Sequence, residues 1–364
     1  MESPTKLLHA VPNFINQKEY GAGNWKAVGA NRLALDRAGI TSTTIEFDPE
    51  NPTKLLEQMR SDIAYLLMEY GHWPELLVKL RREHPQVKIV VRTHNAEAYH
   101  YFHRTIIASR RNYVNPKNWF RFLQLARRDT RCRQAAHMLL GISEWDNKNY
   151  WSWLRGQANI RYLPYYSPWP YLRPDVDIQS WNLRNRAIIS MGGNFDPSGM
   201  ANVANFDILA TKLSRVMDEK WSYLLTWWSQ WHRKVPTVGE GIEIVRECRE
   251  PWDLLCQSRA LAVLTPLGFG FKTTVVDGLA AGCHVIIHPT LANRLPQQVK
   301  QLCLICDPSR DQDIIRLADS LSTPPRPHSL NQQLREMVIA DFRSIFIQNP
   351  KTTLTISSPC EGEG

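Results

Sequence analysis

Residues 261–287 read LAVLTPLGFGFKTTVVDGLAAGCHVII. An apolar run, a glycine-bearing turn, a helical stretch closed by Gly282 and a second apolar run follow one another. That succession is a βαβ unit, and it predicts a parallel sheet whose carboxyl edge carries the turn. Gly268 and Gly270 let backbone amides approach an anion closely on either side of Phe269, and a helix starting near Thr273 aims its positive end at the same place. Lys272 adds a full charge there. About one turn into the helix, Asp277 offers a carboxylate able to accept hydrogen bonds from vicinal hydroxyls. A tight turn, a solvated lysine and a surface acid would each explain one of these residues singly. Their concurrence at one strand-to-helix junction favours a ligand that presents phosphate first and sugar second, a nucleoside diphosphate.

The same rhythm extends outward in both directions. Strands are expected at KLLHAV (6–11), TSTTIEF (41–47), IAYLLMEY (63–70), VKIVVRTH (87–94), AAHMLLG (135–141) and around IRYL (160–163). After the first of them the loop YGAG carries Gly21 and Gly23 into a helix that Gly39 should stop. A second series opens at RAIISMG (186–192), again running into a glycine pair, Gly192 and Gly193, before the helical stretch NVANFDILATKLSRVM. It continues through WSYLLTW, GIEIVRE, a helix over PWDLLCQSRA and the quoted unit. Pro164, Pro168, Pro170 and Pro174 break regular structure between the two series.

The expected fold is therefore α/β, with two Rossmann-like, doubly wound parallel-sheet domains facing across a cleft. Residues 1–170 would form the first, acceptor-side domain, 171–184 a linker and 185–328 the nucleotide-sugar-binding domain. An amphipathic helix at 329–348 would follow, crossing back to the first domain, and then a flexible tail at 349–364. Ligands of open α/β sheets lie beyond the carboxyl ends of the strands, and RTHNAE brings His94, Asn95 and Glu97 to that edge. A lone histidine is more often structural than catalytic, and position is what favours His94. The spacing in HNAEAYHYFH does not match the HExxH metal motif.

Composition narrows the classes. A chain of 364 residues with 43% hydrophobic and 22% charged residues is an ordinary globular sequence, long for a single core, with a high count of 13 Trp. No apolar run approaches the roughly 18 to 20 residues that span a bilayer, so a cytoplasmic location is expected, with peripheral contact at the inner face of a membrane left open. The 7 Cys read as reduced thiols. The net charge of +9 favours an anionic partner. Its excess is local: residues 101–140 carry nine Arg or Lys and the single acid Asp129. Arg104, Arg110, Arg111 and Arg121, together with Glu97, are candidates for binding an acceptor or an anionic surface. A solvated basic helix is the plainer reading of that segment.

The segment GFGFKTTVVDGLAAGCHVI resembles the donor-site segment of GT-B glycosyltransferases of the large retaining family four, with Gly270, Lys272, Val275, Val276 and Asp277 in register. YGAGNWKAVGANRLALDRAGI, RTHNAE, GISEWD and MGGNFDPSGMANVANFDIL are similar to other segments of that family, so the resemblance covers most of the chain. It implies a metal-independent, retaining transferase without a cofactor, whose donor is a UDP- or GDP-sugar and whose acceptor is a glycan, a lipid-linked molecule or a protein. Asp277 would hold the donor ribose and Lys272 would face its diphosphate. His94 would sit near the transferred sugar, and Gly21 and Gly23 would approach the phosphates or acceptor as the cleft closes. Where many members carry a Glu just before Gly-Phe-Gly, this chain has Leu267. Two alternatives are a non-catalytic scaffold of the same fold and a nucleic-acid-binding protein using the basic segment 104–133. Nucleic acid is disfavoured because it gives the glycine-rich turn no role.

Overall fold

The computed structural model describes residues 6–16, 23–107, 109–192, 197–217, 219–227, 235–246, 248, 251–266 and 270–347. Gly21, Gly193, Leu267, Gly268, Phe269 and the tail at 349–364 lie outside them.

Apolar runs buried on both faces form parallel sheets, and the chain builds two. The first contains β1 (Lys6–Pro12), β2 (Ser42–Phe47), β3 (Ile63–Glu69), β4 (Lys88–Thr93), β5 (Met138–Gly141) and β6 (Asn159–Tyr162), in the order β2-β1-β3-β4-β5-β6. The second contains β7 (Asn185–Gly192), β8 (Ser222–Trp227), β9 (Ile242–Arg246), β10 (Ser258–Val263), β11 (His284–Ile287) and β12 (Cys303–Ile305), in the order β12-β11-β10-β7-β8-β9. Every pairing is parallel. In the first sheet the chain steps from β1 to β2 on one side and then to β3 on the other, so the order reverses between β1 and β3. In the second it reverses between β7 and β10. Crevices at such reversals are where open α/β sheets bind ligands. The two-domain Rossmann-like α/β expectation is met.

Two elements depart from the sequence reading. The helix expected over 251–260 ends at Gln257, because Ser258–Ala260 already pair with β7 and are buried as strand. The short β12, with only three residues, carries too little periodic signal to be anticipated. Gly39 stops the Gly23–Ala38 helix at φ +75°, a backbone conformation that suits glycine.

One apolar core spans both halves: Leu7, Ala34 and Tyr165 share it with Leu261, Val276 and Phe342. Part of the Trp content is spent at this junction, where Trp169 stacks on Trp252 at 6.3 Å and meets Trp25 edge-on at 5.2 Å. The Leu330–Phe346 helix packs on the Gly23–Ala38 helix. Asn331 and Ser167 exchange two hydrogen bonds, Arg343 donates to the carbonyls of Arg37 and Ala38, and the Phe346 ring sits edge-on to Tyr65 at 5.2 Å.

Candidate functional site

At the reversal point of the first sheet, the last residue of β3 is Glu69, fully buried. Its Oε1 accepts from His9 Nε2 at 2.8 Å and from Asn31 Nδ2 at 2.9 Å, and its Oε2 accepts from His94 Nε2 at 2.8 Å. Burial alone would raise the pKa of Glu69. The hydrogen bonds from the two histidines outweigh burial and hold it well below the usual carboxylate range. An ionised carboxylate only accepts, so Nε2 of each imidazole carries a proton. Burial lowers the pKa of His94, against the opposing pull of Glu69. His94 is thus a neutral imidazole with Nδ1 left as an acceptor. Its ring stacks on Tyr70 at 4.2 Å. Tyr70 is held at φ +71°, rare for a residue with a side chain and characteristic of positions that a functional arrangement constrains. Arg92, at the end of β4, is also buried and donates to the Leu163 carbonyl at 2.7 Å, fixing the chain beyond β6.

The edge of the second sheet is built differently. Gly270 adopts φ +63°, and a Cβ there would lie 2.6 Å from His100 Nε2 and 3.6 Å from Asn95 Oδ1. Its backbone therefore rests directly on the His94–His100 segment of the other half. Lys272 follows as the residue before the Thr273–Ala280 helix, whose first turn no side chain caps. Arg294 reaches across from the same half. Its guanidinium lies 3.9 Å above the centre of the Trp145 ring, and Nη2 donates to the Tyr99 hydroxyl at 3.0 Å. Among the described residues its Nη1 is buried without a hydrogen-bond partner. His100 reports this surrounding charge: burial first, opposed by the neighbouring Glu97 carboxylate and then assisted by Lys272, Arg294 and Arg104, pushes its pKa down to about 3. Lys272, Arg294 and Arg104 thus converge on one buried neutral imidazole, beside the carboxylate of Glu97.

Asp277 stands apart from both edges. It is 2% exposed, its Oδ2 is paired with the equally buried Lys26, and its Oδ1 accepts from the Tyr165 hydroxyl at 2.9 Å. Both partners come from the first half of the chain. In this arrangement the carboxylate ties the halves together with both oxygens engaged, which is not the geometry of an open ribose ligand.

No family model matches this sequence, and no curated protein matches it by sequence. Solved structures do match it in shape. Sucrose-phosphate synthase from Thermosynechococcus elongatus superposes with a TM-score of 0.59 at 12% identity, covering 94% of this chain and 97% of that one. An alpha-glucosyltransferase in complex with UDP and a 13-mer DNA gives 0.59 at 12%, covering 94% and 95%. An Anabaena protein in complex with UDP and glucose gives 0.52 at 10%, covering 94% of each. The chain has the GT-B fold.

On this GT-B frame, the remaining residues singled out in the sequence separate into groups. Gly270, with Lys272 and Thr273 next in the chain, rests on Asn95 and His100 in the segment that His94 opens. Glu97 adjoins them but is turned to His72 at 3.3 Å, a contact that, against burial, holds its pKa down to about 2. Gly192 closes β7, where a Cβ would meet the Trp227 ring at 2.5 Å, so packing alone requires it. Gly23 opens the first long helix. Arg110, Arg111 and Arg121 lie exposed on helices beyond the cleft, whereas Arg104 is near enough to bear on His100. Among the described residues no cluster of His, Cys, Asp or Glu is arranged to hold a metal ion.

Sequence reasoning missed His9, Lys26, Asn31, Glu69 and Arg294. Two of them left a signal. Glu69 is the lone acid in the apolar run IAYLLMEY, and Lys26 shares a helical stripe with Ala30 and Ala34, both buried.

Proposed function

We propose that this chain is a glycosyltransferase that takes a sugar from a nucleoside-diphosphate sugar, with UDP as the nucleotide. The observation that carries the proposal is the cationic turn Gly270–Lys272, framed by Arg294 and Arg104, resting on the segment that bears the Glu69-bound His94. Diphosphate oxygens suit Lys272, Arg294 and the uncapped amides of the Thr273–Ala280 helix, which would also stabilise the charge of the departing nucleotide. Neutral His94 offers Nδ1 to a hydroxyl of the transferred sugar. UDP is favoured over GDP because structures of like shape are described as complexes with UDP. Retention of configuration and independence of metal follow from the resemblance to family four. The acceptor class is a glycan or a lipid-linked molecule.

Calorimetric titration with UDP, GDP and UMP, followed by mass spectrometry of products from a panel of UDP-sugars, tests this reading. Expected are binding of UDP, weaker binding of UMP, and sugar transfer or slow hydrolysis with at least one donor. A folded protein that binds neither UDP nor GDP defeats the proposal. The engagement of Asp277 by Lys26 and Tyr165 supports a second reading, a GT-B scaffold that does not turn over. UDP binding without release of sugar from any donor would select it.

A further inference from the structure

The basic segment is absorbed only in part by the cleft, and its outer face has features a transferase site does not require. Between Ala98 and Arg128 the chain carries seven Arg or Lys and no acid. Five of the sixteen exposed large hydrophobic side chains among the described residues fall between positions 107 and 123: Ile107, Tyr113, Val114, Phe120 and Leu123, each 44% to 67% exposed. Single exposed apolar residues are ordinary, whereas a cluster of them ringed by one sign of charge marks an interaction surface.

The display is rigid. Ser109 caps the Arg110–Tyr113 helix and Asn115 caps the Pro116–Ala135 helix, with Pro116 at its first position. Trp119 Nε1 donates to the Tyr113 carbonyl at 2.7 Å, and Asn118 donates to the Asn112 carbonyl at 3.0 Å, locking the two helices together. Beneath them Phe102, Trp119 and Phe122 pack against one another at 5.8 to 6.0 Å. On the longer helix Leu125, Asp129 and Cys132 face inward. At about 100° per residue, Phe120, Leu123 and Arg127 share the opposite face.

We infer that this face, from Ile107 to Arg127, docks the protein on an anionic lipid bilayer, with Val114, Phe120 and Leu123 entering the interface and Arg110, Arg111, Lys117, Arg121 and Arg127 meeting the headgroups. Charge complementarity requires an anionic partner, and the aliphatic side chains choose which one. Ile107, Val114 and Leu123 have no ring to stack on a base, while all three gain from leaving water for the acyl boundary. The inference is independent of the donor-binding proposal.

Sedimentation of the full chain with vesicles tests it, comparing phosphatidylcholine alone with a phosphatidylcholine and phosphatidylglycerol mixture. The protein should sediment with the mixed vesicles, more weakly as salt rises, and remain in the supernatant with phosphatidylcholine. Joint Phe120→Ser and Leu123→Ser substitution should reduce the affinity at least about tenfold, while thermal unfolding and UDP titration of the same variant stay unchanged because both side chains already face solvent. A second variant, Arg121→Glu with Arg127→Glu, should abolish the preference for the anionic mixture. Absence of vesicle binding overturns the inference, as does binding that survives the Phe120 and Leu123 changes. A salt-sensitive shift with single-stranded DNA in place of vesicle binding would assign the face to nucleic acid and overturn it equally.

Discussion

The reversal points of the two sheets are made of opposite materials. At the first, polar side chains satisfy one another: Glu69 holds His9, Asn31 and His94, and all four belong to one half of the molecule. At the second, backbone and cations predominate, and the groups that complete the surroundings of Gly270 and Arg294 come from the other half. Two of the buried carboxylates repeat the contrast, since Glu69 is bound within its own half and Asp277 is bound by Lys26 and Tyr165 across the boundary. The first edge is thus preorganised, and the second takes its form only while the halves are together. In the proposed donor site the fixed histidine is the reference and the cationic turn is the part assembled against it.

The largest test of this contrast removes Lys26. Lys26→Met leaves Asp277 buried and unpaired, which should cost about 3 to 5 kcal/mol in chemical denaturation. Adding Asp277→Leu to it should recover much of that loss. If Asp277 instead serves mainly as a ribose ligand, Asp277→Ala will weaken UDP binding and leave stability nearly intact, and the latch assigned to it fails. Next in size is Glu69→Gln, a positioning change that leaves the cationic turn untouched. Turnover, followed as UDP release, should fall about 10²- to 10⁴-fold, within the range attributed to oriented acid–base and hydrogen-bonding groups, while UDP affinity stays level. Glu69→Asp should restore part of the rate. Equal losses in turnover and UDP affinity would erase the division between the two edges.

Lys272→Ala should weaken UDP about ten- to a hundredfold, the scale of a charge-assisted hydrogen bond, and leave uridine binding unchanged. The smallest effect concerns pH. His100 is neutral in the folded protein, with a pKa of about 3, and titrates near 6.5 when unfolded. Between these values the unfolded chain binds the extra proton. The stability His100 contributes is therefore complete above pH 6.5 and is lost as pH falls through the window toward 3. His100→Gln should flatten that slope. Asp129 and Asp146, both pushed up to about 6 by burial, tilt stability the other way between their unfolded value and pH 6, so the difference between variant and parent curves is the quantity to measure. Parallel curves would mean that burial and the neighbouring cations do not lower the pKa of the imidazole.

Much of the fold was legible because parallel strands are long apolar runs and glycines punctuate the βα turns. The candidate site was legible where it depends on such punctuation: Gly270 and Lys272 follow a strand, and so does His94. What remained hidden are the residues whose meaning depends on a partner far along the chain. The stripe that Lys26 shares with Ala30 and Ala34 hints at burial, but its partner Asp277 lies 251 residues away, and local pattern holds no record of that meeting. Asp277 shows the converse. Its spacing from the glycines fits a sugar ligand, but tertiary structure gives its oxygens to other partners.

The Leu330–Phe346 helix lies against the Gly23–Ala38 helix, with Arg343 bonded to a carbonyl 306 residues earlier. As the chain is synthesised, the first sheet is complete in sequence long before the helix that covers it exists. Until then the Gly23–Ala38 helix lacks the partner that packs on it. A nascent chain arrested before residue 330 should accordingly present a sticky, protease-sensitive first half, and its rescue would come from the late helix supplied as a separate peptide.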